Sequence, residues 1–120
     1  MTKNEALYKF FSGFGIKAFP ITSEPEDMEL PWIVYENVIA NAGDDAVNCT
    51  ANVYYYSESE AGINAKVDEI AEKISRGGTQ VPYDGGSIWI RCGTPWSTPI
   101  VDGSDTKLKR RVLNLTLVYL

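Results

Sequence analysis

A chain of 120 residues, 44% of them hydrophobic, has the size and apolar content of one domain built on one core, here residues 1–120. Its 16 acidic residues outnumber 11 basic ones, and the net charge of −5 opposes attraction to phosphate backbones, which argues against sequence-specific DNA or RNA binding. The absence of histidine removes the commonest general base and metal ligand, and with it every Ser-His or Cys-His nucleophile arrangement.

The start, Met1 to Glu5, has no apolar signal core, and no apolar run approaches the roughly 20 residues that span a bilayer, so a soluble intracellular protein without membrane contact is expected. Ala6, Leu7, Phe10, Phe11 and Phe14 then recur at helical spacing, with Gly13 and Gly15 as the stop. A short strand over Ile16 to Phe19 leads into Thr22 to Pro31, an acidic loop broken by two prolines. Its carboxylates, Glu24, Glu26, Asp27 and Glu29, lack the glycine turn and regular ligand spacing of a cation loop, and a solvated or partner-facing loop is the expectation.

Trp32 to Ile39 is rich in β-branched and aromatic residues and reads as a central strand. Asn41 to Asp45 turns it back into Val47 to Tyr56, in which Val47, Cys49, Ala51, Val53 and Tyr55 oppose Asn48, Thr50, Asn52, Tyr54 and Tyr56. A second helix follows, with Ser57 or Ser59 as N-cap, an apolar stripe of Ile63, Val67, Ile70, Ala71 and Ile74, and an end at Arg76 to Gly78. Thr79 to Tyr83 and Ser87 to Cys92 form a hairpin around Asp84-Gly85-Gly86, and Gly93 to Asp105, with two prolines, reads as a long irregular loop. Within that loop Trp96 either caps the core or anchors a partner. The last strand, Val112 to Leu120, sets Leu113, Leu115, Leu117 and Tyr119 against Asn114 and Thr116. The basic group Lys107, Lys109, Arg110 and Arg111 sits where a loop enters it, as a solvated entrance or a subunit edge rather than a nucleic-acid contact.

Together these elements predict an α+β two-layer sandwich, an antiparallel or mixed sheet with both helices on its apolar face. Cys49 and Cys92 read as buried thiols, without the spacing or company of a metal site. Glu36 is the one carboxylate inside an apolar strand, and an outward or ion-paired role is expected for it over that of a raised-pKa acid. No second acid stands at a recognisable spacing from it, so neither an enzyme nor a cofactor is expected. The outer sheet face, built from Asn, Thr and Tyr with hardly a charge, suits another protein subunit better than bulk water.

The aromatic first helix over Glu5 to Phe14, the acidic lead into Pro31-Trp-Ile-Val-Tyr35, the passage Asn52-Val-Tyr-Tyr-Tyr-Ser57 into a helix, and the long last strand run through nearly the whole chain. In these features it resembles the tail terminator (tail completion, head-tail joining) proteins of long-tailed bacteriophages and prophages. The resemblance implies a ring, usually a hexamer, that caps the tail tube, ends its polymerisation and offers the head a joining surface. The implied partners are further copies of the chain, the tail tube protein and a head connector or completion protein, with DNA only as passing cargo. The implied places of work are the host cytoplasm during assembly and the head-proximal end of the tail in the virion. No family motif transfers position by position. The candidate interface residues therefore come from the pattern alone: Asn48, Thr50, Asn52, Tyr54, Tyr56, Asn114 and Thr116 on the outer face, with Trp96 and Lys109, Arg110 and Arg111. Two alternatives stand beside it, another connector or minor tail component, and a small α+β enzyme or ligand-binding domain.

Overall fold

The computed structural model describes residues 1–25 and 29–120. Helix α1 (Lys3–Phe11) opens on a capping box, in which the Thr2 hydroxyl accepts from the Glu5 amide at 3.1 Å and the Glu5 carboxylate accepts from the Thr2 amide at 2.9 Å. That bond to the Thr2 backbone holds the Glu5 carboxyl below its ordinary value. A tightened turn, Ser12–Phe14, ends the helix, and Gly15 takes the left-handed conformation that closes it (φ 78°). The second helix, α2 (Ala61–Ile74), buries Ile63, Val67, Ile70 and Ile74.

Six strands form one sheet in the order β1-β2-β3-β6-β5-β4. They are β1 (Lys17–Pro20), β2 (Trp32–Tyr35), β3 (Val47–Tyr56), β4 (Thr79–Tyr83), β5 (Gly86–Ile100) and β6 (Leu108–Tyr119). β1 runs parallel to β2, and every other pair is antiparallel, so the α+β class holds with a mixed sheet. The sheet is curled into a half-barrel rather than laid out as a plain layer. α2 lies against β3, β5 and β6, whereas α1 touches both rims of the sheet, β1 and β4. The aromatic helix thus closes the seam between the two ends of the curl. Phe11 stacks on Tyr35 of β2 at 4.4 Å, and the N-terminal ammonium pairs with Asp84, in the β4–β5 turn, at 2.6 Å.

The inward rows match the alternation in sequence: Cys49, Ala51 and Val53 from β3 and Leu113, Leu115, Leu117 and Tyr119 from β6 join both helices in one core. Four elements differ from expectation, each for a visible reason. β2 stops at Tyr35 because the next ladder donor, the Thr50 amide, is taken by the Glu36 carboxylate at 2.7 Å, with the Thr50 hydroxyl on the same oxygen at 2.6 Å. β2 is therefore short, and the connection to β3 is longer than a hairpin loop. α2 starts at Ala61, because Ser57 and Ser59 make local turns and Glu60 reaches Arg111 at 2.8 Å instead of capping the helix.

The third difference is the largest. The stretch from Gly93 is not an irregular loop: β5 continues to Ile100, paired with β6, through a bulge between Cys92 and Ser97. Its prolines fit because β4 pairs with β5 only as far as Ile90; beyond it, the far side of β5 is an open edge where a missing N–H leaves no neighbour unsatisfied. Fourth, β6 begins at Leu108, so Lys109, Arg110 and Arg111 lie within the strand, not at its entrance. Of the acidic segment, Glu24 and Glu29 are exposed, and Glu26 and Asp27 lie outside the described residues. Among the described residues no helix is long and apolar enough to cross a membrane.

The thiols occupy unequal sites. Cys49 is fully buried, donates to the Glu36 carbonyl at 3.2 Å, and is pushed up to about 12 by burial, whereas Cys92 is only half-buried. An aromatic disulfide reagent at pH 8 should therefore modify one thiol in the native chain, lost in Cys92→Ser, and a second only on unfolding. Two thiols reacting at equal speed in the native state would contradict this placement.

Candidate functional site: the uncovered face of the sheet

Both helices bury their apolar stripes on the inner face, and among the described residues no helix packs such a stripe on the outer one. Alternation sends every second residue there, and the register lines them up across strands. Trp32, Tyr54, Arg110 and Ile100 form one row, and Val34, Asn52, Val112 and Thr98 the next. Thr50 faces Asn114, and Asn48, Thr116 and Arg91 complete a further row. Most of these side chains are half-buried by one another, and Val34, at 3% exposure, is enclosed on this face without belonging to the core.

An aromatic ladder crosses one end of the face. Phe19 meets Trp32 edge-on at 6.0 Å, and Trp32 meets Tyr54 at 6.4 Å. The Arg110 guanidinium lies 5.7 Å from the Tyr54 ring, donates to the Asn52 side chain at 2.9 Å, and pairs with Asp102 at 3.1 Å. Burial raises the Tyr54 phenol above its ordinary value. The charge of Arg110 is thus neutralised within the chain, and what remains at this end of the face is apolar, aromatic and amide surface. That composition, aromatics and arginine with few free charges, is the one that distinguishes the centre of protein interfaces.

The sequence-derived candidates divide on this map. Asn48, Thr50, Asn52, Tyr54, Asn114 and Thr116 stand together on the uncovered face, although the Thr50 hydroxyl is engaged by Glu36 and the Asn114 amide donates to the Pro95 carbonyl at 2.8 Å. Tyr56 stands exposed at the end of β3, its phenol raised by a hydrogen bond to Asp105. Arg110 belongs to the aromatic ladder. Arg111 does not: it is inward-facing, 8% exposed, and holds Glu60 at 2.8 Å and Asn64 at 3.2 Å at the start of α2. Lys109 shares its parity and reaches the Thr106 carbonyl, and Trp96 packs against the core. Phe19, Trp32, Val34, Arg91, Thr98, Ile100 and Val112 are members of the face that pattern reading left out. Trp32 was legible as the alternate of buried Ile33, whereas Thr98 and Ile100 were hidden by the prolines around them.

Prolines blunt the rims of the sheet against strand addition. β1 ends on Pro20, β4 carries Pro82 and the open edge of β5 carries Pro95 and Pro99. These prolines favour contact through side chains of the face over a backbone ladder at the rim. Among the described residues no group of three or more His, Cys, Asp or Glu is placed to hold a metal ion. No protein-family model, curated protein or solved structure matches the chain.

Proposed function

We propose that this protein is a structural assembly subunit that works by occupancy, forming a ring on the end of a bacteriophage tail tube that ends polymerisation and presents the head-joining surface. The observation that carries the reading is the uncovered sheet face, with its aromatic ladder and its internally neutralised Arg110. The two-layer view of the fold belongs to this proposal: helices and core form one layer, and the sheet keeps its outer side for neighbouring subunits. Support for the phage setting comes from the resemblance in element order and in the aromatic first helix. A closed ring needs heterologous contacts, in which one patch meets a different patch of the next copy. The net charge of −5 suits a passage through which DNA slides without sticking.

The test is native mass spectrometry of the chain over a range of concentration, alone and with purified tail tubes. A hexamer, or a monomer converted to a ring on tube ends, is the expected result. A chain that stays monomeric at every concentration and ignores tubes would end the proposal.

A further inference from the structure

Where β4 leaves β5, the end of α2 and the first residues of the open edge border an open cavity of about 670 Å³ whose walls include Glu72, Ser75, Arg76, Arg91, Thr94 and Thr116. Of the four arginines in the chain, Arg110 and Arg111 each meet a carboxylate, at 3.1 and 2.8 Å. Arg76 and Arg91, the other two, share this cavity, and among the described residues neither side chain has an ion-pair or hydrogen-bond partner.

Arg91 is held in place by construction. Its guanidinium carbon lies 4.5 Å from the centre of the Trp89 ring, and the Trp89 indole donates to the Gly77 carbonyl at 2.9 Å. Gly78 (φ 85°) is pressed so close that a Cβ there would fall 2.4 Å from Trp89 Nε1 and 2.8 Å from Arg91 Cγ. The Arg91 Nε is buried with no hydrogen-bond partner among the described residues, a state that calls for an explanation in a native structure. A permanently charged guanidinium packed on the Trp89 ring, with the exposed Arg76 on the same wall, is a receptor for an anion.

We infer that this cavity is an oxyanion site that takes a phosphate group. Guanidiniums present planar forks that match phosphate oxygens, and the Thr94 and Thr116 hydroxyls add donors in other directions, while the Ser75 hydroxyl donates to the Gly78 carbonyl at 3.4 Å. A tetrahedral anion uses such a spread, whereas a planar carboxylate is satisfied by one fork. Glu72 is the one acid on the wall, so two guanidiniums against one carboxylate leave surplus positive charge. The site goes beyond the assembly reading and does not rest on it.

Isothermal titration of the full chain with sodium phosphate, against sodium chloride at matched ionic strength and against succinate, tests the assignment. Saturable one-to-one binding of phosphate is expected, with affinity lower by at least about tenfold in Arg76→Gln and in Arg91→Gln, the scale of one charge-assisted hydrogen bond. Phosphate should also slow modification of Cys92, which lines the same cavity, in the native chain but not in Arg91→Gln. Thr116→Glu places a carboxylate on the cross-strand neighbour of Arg91, and should abolish phosphate binding while the chain keeps its native near-ultraviolet circular dichroism. Absence of saturable binding, equal affinity in either glutamine variant, or succinate binding as well as phosphate would each overturn the assignment.

Discussion

Phe11→Ala is expected to lower the unfolding free energy by about 3–5 kcal/mol, the usual cost of removing a buried ring and leaving its cavity. Phe11 is 1% exposed, stacks on Tyr35 and meets Phe10 edge-on at 5.0 Å, all within the helix that touches both rims of the curled sheet. Its loss removes more than local packing, because α1 joins sheet ends that no strand pairing joins. With a stability of about 5–15 kcal/mol typical for a domain, the variant should be marginal or unfolded at 37 °C. Urea unfolding followed by circular dichroism gives the value, with Tyr8→Ala, on the exposed side of the same helix, expected within about 0.5 kcal/mol of the parent. Equal losses in the two variants would show that α1 is not the closure of the fold.

On the proposed assembly through the uncovered face, Val112→Lys is expected to leave folding intact and to prevent ring formation. Val112 lies mid-face between Asn52 and Thr98, where a lysine stem can follow the sheet surface and carry its ammonium to water in the isolated chain. The melting temperature should move by no more than about 4 °C. At the centre of a closed interface the same ammonium is buried unpaired, at a cost of about 3–5 kcal/mol, or more than about 100-fold in association. Sedimentation and native mass spectrometry with tail tubes measure this, and Asp68→Lys on the exposed face of α2 should assemble as the parent does. Rings from Val112→Lys equal to those of the parent would overturn the proposal that the subunits meet through this face.

What could be read from sequence was what is local. Period two over Val47 to Tyr56 and over Leu113 to Tyr119 set both faces of the two middle strands, and helical spacing set the buried sides of α1 and α2. The unread parts depend on neighbours distant in the chain. Proline signals a break, and whether it breaks a strand turns on whether the missing N–H had a partner; at Pro95 and Pro99 it had none, because β4 stops short. Glu36 reads as a strand residue until Thr50 stands opposite to receive its carboxylate. Arg111 reads as part of a basic cluster until α2 brings Glu60 and Asn64 to it. The uncovered face was half legible, through Asn52, Tyr54, Asn114 and Thr116. The cavity of Arg76 and Arg91 was not, since it joins a helix end to a strand that no local pattern connects.

The prolines along the rims also bear on how the protein behaves when crowded. A curled sheet with a free, unblunted edge can recruit the edge of its neighbour, and successive recruitments run on as a cross-β fibril. Here growth of that kind meets Pro20 at one end and Pro82, Pro95 and Pro99 at the other. At high concentration, encounters between copies then fall to side chains of the face rather than to backbone pairing at the rims.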